Sequence, residues 1–321
     1  MFFTAFRGAA GADAENYING WKMTATIWDT DISMNPNIAY SEPGYYFYTV
    51  ILKSIWDNVT FYFFITSIIT LWLLSKTLIK YSIYPFIGLI VYMSRFFLLR
   101  DFNQIRGALA IAIIILSTRY IVGNRFRPFI FCVLAALFFH TSIICIIPFF
   151  FFNKIRFSQK NIYIVLFCTY AFTALVQEYV GTILFFFSAQ TGALSAYTDP
   201  DGMFAEGGGL LNPMIFYQII ILILYTLSEN FLKERQPYYY GIRNAYLYST
   251  ILLMLFSASP VIAARLSTIF ATYEIIIIPA LISILTNRTR VVVVPIIFLL
   301  LGLLFYINYN RAGDLTYGLT I

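Results

Sequence analysis

The sequence predicts an all-α membrane protein, a polytopic bundle of about ten transmembrane helices, on three observations. Of the 321 residues 60% are hydrophobic and 11% charged, with a mean hydropathy of +0.78. Soluble domains carry about 25% charged residues and need polar groups to cover their outside, so lipid must be the solvent for most of this surface. The apolar residues fall in continuous runs, whereas a β-barrel would alternate apolar and polar residues in pieces of about ten. Lysines and arginines recur between the runs, so the net charge of +6 reads as topology and not as a nucleic-acid footprint.

The first element, residues 1–58, is read as a segment on the outer face. Within it Glu42 precedes Pro43, Gly44 and Tyr45, a turn signal, and the aromatic stretch 45–55 is too short to cross and lies in or dips into the interface. The bundle occupies 59–309, with helices expected at 59–79, 82–100, 106–122, 127–139, 141–152, 161–187, 211–232, 243–264, 266–286 and 291–309. The loop 188–210 returns to the outer face with Asp199, Asp201 and Glu206 and without a lysine or arginine. The whole chain, 1–321, is read as one membrane domain. MFFTAF is too short for the apolar region of a signal peptide and lacks a basic start; residues 7–58 need a preceding helix or an unaided N-out insertion to reach the outer face, and a leading transmembrane helix is expected to be missing.

The run 127–152 admits two readings, one tilted span or a pair of short helices turning near His140. The hairpin collects Lys76, Lys80, Arg119, Arg125, Arg127, Lys154, Arg156, Lys160, Lys233, Arg235, Arg243, Arg288 and Arg290 on one side, thirteen of the 21 basic residues. That is what the positive-inside rule expects. A single span would put residues 154–160 outside and invert everything after them, so the hairpin is preferred.

Charges in or at the edge of a span are costly unless paired or facing water, which makes them the candidates for chemistry. On this topology Arg7, Arg95, Arg100, Arg106 and Arg265 lie at the outer face, against the charge rule. Three of them stand in RFFLLRDFNQIRGALA, around the turn between two spans. Guanidinium forks match phosphate oxygens and stay charged, so the cluster suggests a lipid-diphosphate site; the plain alternative is snorkelling to headgroups and pairing with Asp101.

His140, the sole histidine, stands in FFHTS at the hairpin turn, as a base or acid working near neutrality or as a hydrogen-bonded structural residue. The acidic candidates are Asp13, Glu42, Glu178 and Glu274. Glu42 with its tyrosines suits a sugar acceptor, ring faces stacking on the sugar and the carboxylate binding a hydroxyl; an interfacial anchor is the equal alternative. Glu178 and Glu274 also read as ion-pair partners between helices, and Glu274 follows Arg265 and Tyr273 on one helix.

Cys132, Cys145 and Cys168 lie in apolar runs without ligand spacing and are read as packing residues. One histidine and no close carboxylate cluster leave no expected zinc or magnesium site. Without a Walker loop or a dinucleotide-binding glycine motif, no nucleotide cofactor is expected.

Five segments carry a resemblance: FRGAAGADAENY at 6–17, EPGYYFY at 42–48, LRDFNQIRGALA at 99–110, FFHTSI at 138–143 and ARLSTIFATY at 264–273. In order and spacing they resemble the EpsG-type branch of the Wzy polysaccharide polymerases. Members usually carry a further helix before the first segment, in keeping with the missing one. The resemblance implies a bundle that could be GT-C-like, embedded in the bacterial inner membrane. It implies glycosyl transfer on the outer face between two undecaprenyl-diphosphate-linked glycans, with membrane lipid and a chain-length regulator as further partners. Arg100, Arg106 and Arg265, with Arg95, would hold the diphosphates, and His140 would act as base with Glu42 as its rival. Arg7, Asp13, Tyr45 and Tyr273 would shape the cavity. A flippase for lipid-linked oligosaccharide would also need arginines but often shows repeated halves, which are absent here. A membrane acyltransferase could also centre on one histidine, though several outer arginines favour a diphosphate.

Overall fold

The computed structural model describes residues 2–35, 38, 42–191 and 208–311, and every regular element among them is helical. Asp199, Asp201 and Glu206 of the loop expected at 188–210 lie outside the described residues. The chain forms two compact units, Met1–Ile144 with Leu285–Ile321, and Cys145–Ile284.

The first unit contains α1 (Phe2–Ala5), α2 (Ala14–Met23), α3 (Pro43–Ile55), α4 (Val59–Tyr81), α5 (Pro85–Tyr92), a π-helix (Met93–Asn103), α6 (Ile105–Leu116), α7 (Thr118–Val122) and α8 (Phe126–Leu137). The second contains α9 (Ile146–Phe152), α10 (Gln159–Thr191), α11 (Pro213–Leu227), α12 (Glu229–Leu232), α13 (Tyr239–Leu255), α14 (Pro260–Ala271) and α15 (Glu274–Ser283), after which α16 (Asn287–Arg311) returns to the first unit.

Local chemistry sets many of these boundaries. Helices α3, α5, α11 and α14 begin on a proline in the first turn, where the missing N–H would have no partner in any case. The Asn58 side chain caps α4 by accepting the Phe61 N–H at 3.0 Å, and Asn212 caps α11 through Met214 N–H at 2.9 Å. Inside α4, Thr66, Thr70 and Thr77 each return their hydroxyl to the carbonyl four residues earlier, at 2.8, 3.0 and 3.1 Å, so buried polar groups cost little.

In the first unit α4 packs on α6, α6 on α8, and α16 on the π-helix. In the second, α13 is central and packs against α10, α11 and α14. The Ser249 and Thr250 hydroxyls of α13 donate to Gln218 Oε1 of α11 at 3.1 and 3.3 Å, a buried polar seam of the kind that joins helices in lipid.

Three helices are singly long and apolar enough to cross a membrane among the described residues, Val59–Tyr81, Gln159–Phe186 and Asn287–Asn310. Helices α14 and α15 together make a fourth, bent by 50°. Several expected helices are shorter or broken. The helix expected at 243–264 stops at Leu255 because Pro260 forces Ser259 into an extended conformation and starts a new helix. The helix expected at 266–286 is the bent pair α14 and α15. The run 127–152 is not one continuous helix: it breaks between Leu137 and Thr141, around His140. The stretch 82–100 changes from α to π winding at Met93, which apolar periodicity does not encode.

Candidate functional site

The EPGYYFY segment docks by its backbone onto the break after α8. Tyr45 N–H donates to the Phe138 carbonyl at 3.0 Å, and a Cβ on Gly44 would stand 2.2 Å from Phe138 Cδ1, so only glycine permits the approach. This docking brings Glu42 to His140. Glu42 Oε1 lies 3.1 Å from His140 Nδ1 and accepts Thr141 N–H at 3.4 Å, while Oε2 accepts from Arg106 Nη1. The imidazole also lies against α6, where a Cβ on Gly107 would meet His140 Cδ2 at 3.3 Å.

Exposure within this trio is uneven. The Glu42 side chain is 4% exposed, those of Arg106 and His140 22% and 23%. The carboxylate is thus the hidden centre, and its two basic partners are its open edge. Burial pushes the Glu42 carboxyl up, but the His140 hydrogen bond and the Arg106 charge outweigh it and hold the group at about 2, below the usual 4.5. A carboxylate fixed as an anion orients an imidazole by accepting its Nδ1 proton, which leaves Nε2 as the basic nitrogen.

Behind Arg106 lies the π-helix. Hydrogen bonds from residue i to i+5 place residues five apart on successive turns, whereas α winding would set them about 140° apart. Arg95 and Arg100 accordingly approach one ring, their Cζ atoms 5.4 and 4.2 Å from the centroid of Phe96. Both are buried, so the snorkelling arrangement is not adopted. Tyr92 hydroxyl donates to Asp101 Oδ2 at 2.6 Å.

The FRGAAGADAENY segment closes on the far end of the π-helix. Arg7 is fully buried; its Nη1 donates to the carbonyls of Asp101 and Phe102 at 2.7 and 2.8 Å, and its Cζ lies 3.9 Å from the Phe63 centroid. Asp13 is half-buried at the start of α2. From α2, Tyr17 packs edge-on to Tyr45 at 6.4 Å, and its ring centroid lies 6.0 Å from the Arg106 Cζ. Tyr45 is fully buried and its hydroxyl meets that of Tyr62. Its ring therefore packs on protein and presents no open face to a sugar.

In the second unit, Arg265 is half-buried on α14 and Tyr273 is buried at the bend before α15. Glu274 is fully buried and accepts the hydroxyls of Tyr246 at 2.9 Å and Tyr217 at 3.3 Å. Glu178 is exposed on α10.

Four of the five segments singled out in the sequence therefore meet within the first unit. Sequence reasoning took Gly44 only as part of a turn and missed Gly107, although each adjoins a candidate, in EPG and in IRG, where a small residue signals close approach. It also missed the Tyr92–Asp101 bond, which depends on π winding. The EpsG family profile matches residues 1–319 of the chain. No curated protein and no solved structure matches it. With apolar spans and a match over nearly its whole length, the chain is a membrane protein of polysaccharide biosynthesis and belongs to the EpsG family.

Proposed function

We propose that the chain is a metal-independent glycosyltransferase of Wzy type. It joins undecaprenyl-diphosphate-linked repeat units into surface polysaccharide on the outer, periplasmic face of the bacterial inner membrane. The observation that carries this reading is the buried Glu42 carboxylate held between Arg106 and His140, with the two basic groups at the open edge.

In the reaction the acceptor hydroxyl of the incoming unit attacks the anomeric carbon of the growing chain. His140 Nε2 takes the hydroxyl proton, the new C–O bond forms, and the bond from the anomeric carbon to the diphosphate oxygen breaks. The lipid diphosphate leaves with the electron pair. Glu42 fixes the imidazole tautomer and stabilises the imidazolium, so on this reading His140 is the base and Glu42 orients it. A diphosphate is already a competent leaving group, so fixed cations suffice. Arg106 contacts it, while the buried Arg95 and Arg100 contribute positive field from behind. Arg265 is assigned to the same role on sequence grounds. Asp13 shapes the cavity and Tyr45 supports it from behind within the first unit; Tyr273 is assigned to it on sequence grounds alone.

Topology follows the same reading: about ten passes, counting the shorter apolar helices, with 1–58 and 188–210 outside and the basic loops inside. The two compact units are then parts of one membrane domain, and a chain-length regulator is an expected partner. The test is elongation of a defined lipid-linked repeat unit by purified protein, comparing wild type with His140→Ala and Arg106→Ala. Loss of elongation in both variants supports the reading; elongation undiminished in both, or absent in the wild type, sinks it. The 50° break between α14 and α15 is a feature that a flippase would share, and transbilayer movement of the repeat unit without elongation would favour that alternative.

A further inference from the structure

We propose that Arg7 is a positioning residue of the reaction centre: by gripping the end of the π-helix it fixes the rotation at which Arg106 meets Glu42 and hence the Glu42–His140 hydrogen bond. The inference rests on reading Glu42, Arg106 and His140 as that centre. It assigns Arg7 a task other than touching substrate, from which its complete burial removes it.

The geometry is a short chain of contacts. The π-helix ends at Asn103 and Arg106 stands in the first turn of α6, so whatever fixes residues 101–103 fixes the phase of Arg106. Arg7 Nη1 donates to the carbonyls of Asp101 and Phe102, acceptors at the end of the helix that lack following turns. Gly11 completes the grip. It holds φ at +108°, and a Cβ there would meet Asn103 Oδ1 at 2.8 Å and the Phe102 carbonyl at 3.2 Å. The other end is also held, by Asn308 of α16, whose Nδ2 donates to the carbonyls of Ser94 and Arg95 at 3.0 and 3.3 Å.

Clamping is needed because π winding is rare and competes with ordinary α winding over the same residues. Each π turn holds more residues, so rewinding these eleven as α would turn Arg106 away from Glu42. The Arg7 Nε and Nη2 atoms are buried without a hydrogen-bond partner, and the guanidinium lies over Phe63. Its positive charge is retained for a double carbonyl contact that a neutral side chain of similar length would make less well. Arg7 and Gly11 of FRGAAGA thus form a clasp.

His140 is the sole histidine, so its ring nitrogens report on the centre without turnover. Full-length protein labelled with 15N-histidine in nanodiscs is compared as wild type, Arg7→Gln, Arg7→Lys, Gly11→Ala and Glu42→Gln. Glu42→Gln displaces the ring resonances. Arg7→Gln and Gly11→Ala displace them in the same direction, and Arg7→Lys restores most of the wild-type pattern. In elongation assays Arg7→Gln lowers kcat about tenfold, with KM for the repeat unit changed less than about twofold, as expected for a displaced group. Ring signals in Arg7→Gln and Gly11→Ala identical to wild type would overturn the proposal, as would a Glu42→Gln spectrum indistinguishable from wild type. A wild type that fails to elongate defeats the polymerase reading alone, and the ring signals still decide the positioning.

Discussion

Each unit contains an arginine–glutamate pair, and the two are built in opposite senses. In the second unit Arg243 is 1% exposed; its Nη1 donates to Glu229 Oε2 at 2.6 Å and its Nη2 to the Phe157 carbonyl at 2.7 Å. Glu229, 20% exposed, also accepts the Tyr240 hydroxyl at 3.1 Å. There the cation is buried and tied to two elements, which is the design of a clasp. At Glu42 the anion is buried and the cations form the edge. Burying the carboxylate and leaving the bases open keeps proton-accepting and phosphate-binding groups where a ligand could meet them. On the proposed reading the same residue types serve stability in one place and chemistry in the other, according to which partner is hidden.

The largest test of this contrast is His140→Ala, which should lower elongation by about 10²–10⁴-fold, the usual contribution of a general base, with little loss of thermal stability. Arg243→Ala should do the reverse. Elongation per folded molecule persists, while stability falls towards the lower end of about 3–5 kcal/mol, since Glu229 keeps access to water. Thermal unfolding in detergent beside the elongation assay separates the two, and a folded but inactive Arg243→Ala would break the comparison.

Glu42→Gln sharpens it through pH. The Glu42 carboxyl sits at about 2 in the folded protein against an ordinary 4.5, so its stabilising contribution is complete above about 4.5 and is lost as pH falls towards 2. Wild-type unfolding temperature should consequently drop on acidification through that window more steeply than that of Glu42→Gln. Equal slopes would mean that the carboxylate is not so held. The smallest effect is expected at Gly107→Ala, whose Cβ would crowd His140 Cδ2 at 3.3 Å: a reduction of severalfold in kcat and a stability change below about 1.5 kcal/mol.

Much of this was legible in advance. The long apolar helices followed from hydropathy, and α4 and α16 appear near their expected limits. The candidates Glu42, Arg106 and His140 followed from charge cost, because an ionisable group among apolar neighbours needs a reason. The break at His140 was one of two readings that charge parity could rank. The end of α13 before Pro260 was misplaced, although the proline signal was present, because the apolar run continues through it. Arg243, counted with the basic loops, is buried in α13, which a one-dimensional charge count does not see because it does not show which face of a helix a residue takes.

What the sequence by itself determined is the solvent and the inventory: a surface too apolar for water, helices because the apolar runs are continuous and not alternating, and a few costly charges in short segments. What only the tertiary structure decided is their convergence and phase. Residues 42, 106 and 140 meet because a glycine lets one backbone touch another, and Arg106 points as it does because eleven residues before it wind as a π-helix. Neither can be read locally, since close approach and helical register are settled by contacts between segments far apart in the chain.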